Sequence, residues 1–183
     1  MKKLNLGSGN DYLDGYVNVD NNIHFKANVS CDLDSYPYPF ADNEFDEILA
    51  SHIIEHLDDP LDFLQEIYRL AKDGAKIIIK CPHFSGNWFH PGHKSAISTK
   101  LFDFLDKNNS EYYQGADFIV EKIVLKWLRN TNLGKRKNPL MRLLNSVINF
   151  LANLNIAFAE RIWCYWVGGF EEIIFEVKAK KVG

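Results

Sequence analysis

The segment from Phe45 to Cys81 limits the possible folds more than any other part of the sequence. A short apolar run, FDEILA, precedes DDPLDFLQEIYRLAKDG, where an aspartate and a proline come first, apolar residues recur at helical spacing and a glycine follows. That order is typical of a capped helix. The next run, AKIIIKC, is apolar on both faces, like a covered strand of a parallel sheet. Strand, helix and strand in this order predict a right-handed βαβ unit and an α/β fold.

Short apolar runs bounded by turn residues extend this unit to a predicted sheet of seven strands. The predicted strands are Lys2–Leu6, Tyr16–Val19, Ala27–Cys31, Phe45–Ala50, Ala75–Cys81, Phe118–Leu128 and Glu171–Lys180. We also expect a helix over Ser98–Lys107 and a long amphipathic helix in NPLMRLLNSVINFLANLNIAFAERIW, its apolar face packed mostly on the sheet. The connections beside the second strand are too short for crossover helices, which usually need about a dozen residues.

Charge is distributed unevenly along a chain of 183 residues with a net charge of −3. The net charge gives no general attraction to nucleic acid or to a membrane. However, the stretch from Lys122 to Ala159 has no acidic residue, and its basic residues are Lys122, Lys126, Arg129, Lys135, Arg136, Lys137 and Arg142. Such asymmetry indicates either an anionic partner or a solvated basic loop.

The cysteines and the apolar stretches bear on the compartment. The 3 cysteines are far apart and have no CxxC spacing, which argues against a disulfide framework and against a zinc knuckle. A reducing cytoplasm is therefore the expected location. Polar residues interrupt the first part of the chain where a signal peptide would be apolar, and no apolar stretch is long enough to span a bilayer.

The glycines in LNLGSGN are candidates for a cofactor loop. In a doubly wound sheet the turn after the first strand approaches the cofactor, and an acidic residue at the end of the second strand binds the ribose. Gly7 and Gly9 suit the first role, and Asp20 suits the second. A dinucleotide fingerprint would need a glycine where Tyr12 stands, which disfavours a nicotinamide oxidoreductase. A tight loop without a ligand is the alternative interpretation of G-S-G alone.

The residues around this loop narrow the interpretation. The stretch CDLDSYPYPFADNEFDEILASHIIEHLDDPLDFLQEIYRLAKDGAKIIIKCPH resembles class I S-adenosylmethionine (SAM)-dependent methyltransferases. It is most similar to the type 11 branch, with the pattern D-L…P-F-x-D-x-x-F-D…E-H-L…E-x-x-R-x-x-K-x-G. The resemblance covers roughly Leu4 to His83. This chain departs from the family in its shortened N-terminal helices and in Asn5, which replaces an acidic residue before the glycine loop.

The resemblance implies SAM as the cofactor and assigns residues to its parts. The implied cofactor-binding residues are Leu6, Gly7, Ser8 and Gly9 at the methionine part, Asp20 at the ribose diol, Asp32 and Leu33 at the adenine, and Ser51 and His52 near the methyl group. Structural alternatives stay open for several of them. Asp20 could cap a turn, and Asp32 could form an Asx-turn. His52 and His56 could be a metal pair, although a helix-start residue and a buried hydrogen-bonded histidine are the preferred interpretation.

The segment PHFSGNWFHPGHKSAISTKLFDFL follows the fifth predicted strand, at the edge where α/β sheets bind ligands. It is similar to a P-H-F…D-P-x-H-K segment in a group of these methyltransferases often encoded among sugar and polysaccharide genes, with His90 in place of the aspartate. Histidine is the usual base near neutral pH, so we expect His93, and then His90, to be catalytic. Two alternatives are a divalent metal bound by His83, His90 and His93, and purely structural histidines; no residue is assigned to a metal.

Together these features predict a Rossmann-like class I methyltransferase fold over residues 1–183. The expected sheet is seven-stranded and mostly parallel in the order 3-2-1-4-5-7-6, with an antiparallel last strand, shortened N-terminal helices and a helical acceptor-side insertion at 129–168. The expected function is SAM-dependent methylation, of oxygen in a sugar, glycan or related small metabolite. The alternative is a protein of this fold that binds SAM or S-adenosylhomocysteine without turnover, or that needs a partner subunit.

Expectations about partners follow from the same residues. No nucleic acid is expected, because an N-P-P-Y-type motif is absent and the basic patch is short. Basic residues beside an apolar helix leave open a contact with a membrane or a lipid-linked acceptor. The thin flank of the cofactor pocket leaves open a homodimer. In RIWCYWVGGF, Trp163 and Trp166 could stack on sugar rings or belong to the core.

Overall fold

A computed structural model describes residues 1–86, 90–105, 115–129 and 139–181 and forms one mixed sheet of six strands. The strands are β1 (Lys3–Leu6), β2 (Val17–Val19), β3 (Phe45–Ser51), β4 (Ala71–Cys81), β5 (Phe118–Lys126) and β6 (Glu172–Ala179). Their order across the sheet is β2-β1-β3-β4-β6-β5. The pairs among β1, β2, β3 and β4 are parallel, whereas β6 is antiparallel to both β4 and β5. The α/β class and the antiparallel last strand are therefore confirmed.

The prediction of a seventh strand over Ala27–Cys31 is wrong. The structure has a single parallel bridge there, between Val19 and Val29. The backbone N–H groups of Asn28 and Val29 both donate to the carbonyl of Asn18, and the N–H of Asp20 donates to the carbonyl of Val29. When the third predicted strand is removed from the predicted order, the order of the other six strands agrees with the observed one.

The short connections around β2 are organised by buried amides instead of helices. Residues 7–16 and 20–44, all of which the structure describes, contain no helix. Asn18 is fully buried and accepts from the side chain of Asn5 (2.9 Å) and from the backbone of Leu13 (2.9 Å). Asn5 also donates to the Asp11 carbonyl at 2.9 Å. These hydrogen bonds hold the loop between β1 and β2 against the sheet.

Helix α1 (Pro60–Leu70) is the crossover of the predicted βαβ unit. Asp59 caps it by accepting from the N–H of Leu61 at 2.7 Å, and Pro60 occupies the first turn. Its apolar face buries Phe63, Leu64, Ile67 and Leu70 against the sheet. The end of β3 and the start of α1 are separated by a 3₁₀ turn at Ile54–His56, which borders the site.

The helix predicted over Ser98–Lys107 is shorter in the structure. A 3₁₀ helix spans Leu101–Leu105, and Lys107 lies outside the described residues. The basic residues Lys135, Arg136 and Lys137 and the aromatic residues Trp88 and Phe89 also lie outside them.

The long helix α2 (Pro139–Leu154) packs on the sheet through its polar face, whereas its apolar face was predicted to pack there. Asn145, Asn149 and Asn153 accept hydrogen bonds from the backbone N–H groups of Leu128, Trp127 and Leu125 at 3.3, 2.7 and 2.9 Å. Because β5 is an edge strand, its backbone groups need such partners, and an asparagine can supply both donor and acceptor. The polar face of α2 therefore covers the sheet edge.

The apolar face of α2 and of the segment after it is exposed as a result. After α2 come α3 (Ile156–Phe158), a π-helical turn (Ala159–Trp163) and α4 (Cys164–Trp166). The exposed large apolar side chains of this region are Leu140, Leu143, Leu144, Val147, Phe150, Leu151, Leu154, Phe158, Ile162, Tyr165, Trp166 and Val167. We call this set the apolar helical face.

Candidate cofactor and acceptor site

A cleft of about 430 Å³ lies at the carboxyl ends of β1, β2 and β3. This volume is within the range of pockets that hold cofactors and other small molecules. The lining residues are Gly7, Asp20, Asn21, Asn22, Phe25, Cys31, Asp32, Leu33, Asp34, Ile53, His56 and Leu57. Four of the residues predicted to bind the cofactor therefore line one cleft, namely Gly7, Asp20, Asp32 and Leu33.

Gly7 is required at its position by both backbone conformation and space. Its φ is +65°, a conformation that side-chain-bearing residues rarely adopt. A Cβ at Gly7 would lie 2.8 Å from the Cγ1 of Ile53. Gly9 also has a positive φ, +47°, but no atom lies within 4 Å of its Cβ position. The loop therefore turns tightly at Gly7 and leaves open space beside Gly9.

Asp20 caps the glycine loop and also faces the cleft. Its Oδ2 accepts the N–H of Gly9 at 2.8 Å, and its Oδ1 accepts the N–H of Asn22 at 2.9 Å. The capping alternative is thus confirmed. A carboxylate has about four lone-pair positions, so two hydrogen bonds leave acceptor capacity for a ligand in the cleft. A vicinal diol has the donors that such a carboxylate can bind.

Asp32, which lines the same cleft, forms the Asx-turn that was the structural alternative to adenine binding. Its carboxylate accepts from the N–H of Asp34 at 3.1 Å and from the hydroxyl of Ser35 at 3.3 Å. Leu33 beside it is 5% exposed and contributes an apolar wall. A carboxylate next to an apolar surface suits a flat heterocycle that carries an amino group.

A second cleft, of about 280 Å³, lies on the other side of the glycine loop and shares Gly7 with the first. Ser8 and Ser51, both predicted to bind the cofactor, line it. The hydroxyl of Ser8 is buried and has no hydrogen-bond partner among the described residues. Leu6 is fully buried, so its side chain belongs to the core.

His52 lies between two buried carboxylates and lines neither cleft. Its φ is +55°, and its Nε2 lies 3.0 Å from Glu172 Oε2, while its Nδ1 lies 3.4 Å from Glu55 Oε1. Burial lowers the pKa of His52, but the hydrogen bonds to Glu172 and Glu55 outweigh burial and the charge of Arg129. The net effect is a pKa raised above 6.5. The structure thus places His52 in an ion-pair network beside the site.

The acceptor-side histidines His90 and His93 lie together at the border of the first cleft. The backbone N–H of His93 donates to the carbonyl of His90 at 3.0 Å, and their ring centroids are 4.7 Å apart. The ring of His93 is 4.9 Å from that of His56, which lines the cleft. Glu55 was missed as a site residue, and His56 was considered only as a possible metal partner of His52. The signal for both is the E-H pair in the turn between β3 and α1.

His83 is separated from this cluster by complete burial. Its Nδ1 lies 2.6 Å from the hydroxyl of Ser85, and its Nε2 lies 3.5 Å from Glu160 Oε1. Burial raises the pKa of Glu160, but contacts with His83 and Thr99 outweigh burial and lower it. The structural interpretation therefore holds for His83, and the ligand set His83, His90 and His93 is not assembled.

The aromatic residues of RIWCYWVGGF are divided between core and surface. Trp163 is partly buried against the core. Trp166 and Tyr165 are 85% and 70% exposed. A shallow cleft of about 260 Å³ is lined by Phe84, Lys100, Glu160, Arg161 and Tyr165.

Comparison with known proteins gives a family match over part of the chain. Residues 9–79 match the family model described as "Methyltransferase domain". A relative from Rauvolfia serpentina, ajmaline N-methyltransferase, is 44% identical over 55 residues, which are 30% of this chain and 19% of that protein. The chain therefore matches about a fifth of the length of this curated relative.

Solved structures extend the likeness to the whole fold. A SAM-dependent methyltransferase from Archaeoglobus fulgidus has a TM-score of 0.60 at 22% identity, covering 98% of this chain and 86% of that one. A methyltransferase from Haloferax volcanii, solved in complex with the activator Trm112, has a TM-score of 0.54 at 13% identity, covering 98% and 83%. At these identities the likeness concerns the fold.

Residues 9–79 thus match a methyltransferase family model, and the chain as a whole has the fold of solved SAM-dependent methyltransferases. The residues present fit the cofactor of that family. The cleft holds acidic groups at two separate points, Asp20 and Asp32, and an unpartnered hydroxyl, that of Ser8, lies on the far side of the shared Gly7.

The ion pairs of His52 predict a measurable pH dependence. We expect NMR titration of the His52 ring, assigned with a His52→Gln variant, to give a pKa above 6.5. Because the folded pKa is raised, the stability that wild type gains from His52 is fully present below about pH 6.5 and is lost as the pH rises through the folded pKa. The difference in free energy of unfolding between wild type and His52→Gln should therefore shrink toward alkaline pH. A difference that grows with pH would contradict the ion pairing.

Proposed function

We propose that this chain transfers the methyl group of SAM to a hydroxyl oxygen of a sugar, a glycan or a related small metabolite. The observation that carries the proposal is the cluster of His56, His90 and His93 at the border of the cleft that contains Asp20 and Asp32. In the proposed arrangement Asp20 binds the ribose diol, Asp32 and Leu33 bind the adenine, and Ser8 and Ser51 line the methionine end.

The histidines supply what a hydroxyl acceptor requires. SAM supplies an electrophilic methyl group on a sulfonium. The acceptor oxygen would give its proton to the cluster of His90 and His93 and form a bond to the methyl carbon. The bond between that carbon and sulfur would break at the same time, and its electron pair would stay on sulfur. Imidazole is suited to this proton transfer near neutral pH. Much of the remaining rate enhancement comes from alignment of oxygen, carbon and sulfur.

Three other observations bear on the proposal. The curated relative named above methylates nitrogen by its name, but its match covers 30% of this chain, so the acceptor atom is assigned here from the histidines. The 3 cysteines are all free, which suits a reducing cytoplasm. One structural neighbour was solved in complex with the activator Trm112. If this chain is inactive alone, the alternative is that a protein partner completes the thin flank of its cofactor pocket.

The proposal is tested by calorimetry with S-adenosylhomocysteine together with a turnover assay. We expect micromolar binding to wild type, and a loss of about 1–3 kcal/mol for Asp20→Ala, the cost of leaving a polar group unpaired. Asp20→Asn retains an acceptor for the loop N–H groups and separates capping from ligand binding. Ile119→Ala, which alters a half-exposed side chain on β5 at the other end of the sheet, is the control and should bind normally.

Turnover then distinguishes an enzyme from a binding protein. With hexoses, sugar phosphates and nucleotide-linked sugars as acceptors, SAM should be converted to S-adenosylhomocysteine, and His90→Ala with His93→Ala should reduce kcat by about 100-fold or more. Cofactor binding without product from any acceptor would favour the non-turnover alternative. Absence of binding would overturn the proposal for the chain alone.

We further propose that the apolar helical face binds an anionic membrane surface and brings the enzyme to a lipid-linked acceptor. Its apolar side chains are accompanied by the exposed cations Arg142 and Arg161. The one acidic residue of α2 to α4, Glu160, is buried and paired with Thr99. The exposed charged side chains of α2 to α4 are therefore all positive, which is complementary to anionic lipid. Trp166 and Tyr165 add the amphipathic aromatics typical of membrane interfaces. No helix among the described residues could cross a membrane.

Vesicle cosedimentation tests this docking. We expect wild type to bind vesicles of phosphatidylcholine with phosphatidylglycerol and to bind pure phosphatidylcholine more weakly. The double variant Phe150→Asp with Trp166→Asp should lose binding by about tenfold or more, because two large apolar groups are replaced by charges. Ile23→Asp, a matched change at an exposed apolar residue elsewhere, should bind like wild type. Equal binding by the double variant, or dimerisation through this face in solution, would overturn the proposal.

A further inference from the structure

We propose that Glu55, His56 and His93 form a site for a divalent cation of the Zn²⁺ class at the border of the cofactor cleft. One ligand atom from each of the three residues lies within 4.8 Å of the other two. Two imidazoles and one carboxylate form the protein ligand set of many catalytic zinc sites, where the fourth position is left for water or substrate. The metal alternatives drawn from the sequence paired His56 with His52 and His93 with His83 and His90, so this set of three ligands comes from the structure.

Glu55 provides an observation that is independent of the clustering. It is 2% exposed, and its Oε2 has no hydrogen-bond partner among the described residues. An unpartnered carboxylate oxygen in a buried position is costly, and such groups in native structures are normally satisfied. A cation bound by the Glu55 carboxylate together with His56 and His93 would give this carboxylate a further partner.

His56 is held in the tautomer that a metal ligand needs. Its Nδ1 lies 2.8 Å from the carbonyl oxygen of Gly92. A carbonyl only accepts hydrogen bonds, so Nδ1 carries a hydrogen, and in the neutral ring the lone pair is then on Nε2. That Nε2 is the nitrogen on the Glu55 side, 4.0 Å from Oε1. Metal-bound histidines typically donate their other N–H to a carbonyl or a carboxylate in this way.

The loop that carries His93 is fixed to the segment that carries the other two ligands. The backbone N–H groups of Lys94 and Ser95 both donate to the Glu55 carbonyl, at 2.7 and 3.3 Å. The Lys94 ammonium pairs with Asp58 at 2.6 Å and with Asp34 at 3.2 Å. The ligands are therefore preorganised by contacts that do not involve a metal.

The cations near Glu55 have another anionic partner. His52, 3.4 Å from Glu55 Oε1, lies 3.0 Å from Glu172 Oε2. Arg129 and Lys126 also approach Glu172, at 3.9 and 3.2 Å. The positive charges of Lys126 and Arg129 are balanced in part by Glu172, which leaves Glu55 able to ligate a cation.

The role of this cation rests on the proposed function. A hydroxyl that takes the open position has its pKa lowered by the charge of the metal. Its proton passes to His90, whose ring centroid is 4.7 Å from that of His93, and the oxygen then bonds to the methyl carbon as the carbon–sulfur bond breaks. His93 is then a ligand and His90 the base, which divides the two predicted catalytic histidines between two roles.

Metal binding is tested on the untagged full chain after chelator dialysis. We expect ZnCl₂ to titrate calorimetrically with one equivalent and Co²⁺ to give visible absorption bands of a low-coordinate site. His93→Ala, in a surface loop, and Glu55→Gln should each weaken binding by about tenfold or more. His24→Ala, which removes an exposed histidine far from this cluster in sequence, is the matched control and should bind Zn²⁺ like wild type.

The outcomes separate this inference from the proposed function. Circular dichroism and S-adenosylhomocysteine binding are measured on each variant, so a folding failure is recognised, and His93→Ala remains informative if Glu55→Gln does not fold. Zn²⁺ binding without cofactor binding would support the metal site and overturn the proposed function. Cofactor binding with no Zn²⁺ binding, or Zn²⁺ binding unchanged in His93→Ala, would overturn the metal site alone.

Discussion

The parallel registration of β1, β3 and β4 is the constraint on which the whole site depends. Leu4 pairs with Ile48, and Ile48 pairs with Ile77, so the carboxyl ends of three apolar strands lie at the same edge of the sheet. The loops that follow them carry Gly7, the Ile54–His56 turn, and the His90–His93 segment. A shift of one residue in any of these strands would turn its apolar side chains from one face to the other. The core therefore fixes the position of each functional loop.

Two hydrogen-bonded junctions convert this shared edge into a site. The Asp20 carboxylate ties the end of β2 to the glycine loop through the N–H of Gly9. The Glu55 carbonyl ties the loop after β4 to the turn after β3 through Lys94 and Ser95. The first junction shapes the cofactor cleft, and the second places three histidines at its border. Both use backbone groups, so the arrangement is in place without a ligand.

The sequence predicted the parts of the fold that depend on local pattern. The βαβ unit, the strand order and the residues Gly7, Asp20, Asp32 and Leu33 at one cleft all follow from apolar periodicity, glycine spacing and the family pattern. The grouping of Glu55 with His93 could not be predicted, because it depends on hydrogen bonds between segments distant in the chain. The orientation of α2 was predicted wrongly, because periodicity shows that a helix is amphipathic but not which face packs. Asparagines at Asn145, Asn149 and Asn153 carried the missing signal.

The central claim is that the glycine loop and the two aspartates bind SAM, and amide NMR with S-adenosylhomocysteine tests it most directly. Titration into ¹⁵N-labelled protein should shift the amide signals of Gly7, Gly9, Asp20 and Asp32 together and with one affinity. Helix α2 covers β5, the edge strand at the other end of the sheet from β2. The amide signals of α2 should therefore stay unchanged. Saturating ligand that leaves the loop amides unshifted, or that shifts the α2 amides instead, would contradict the account.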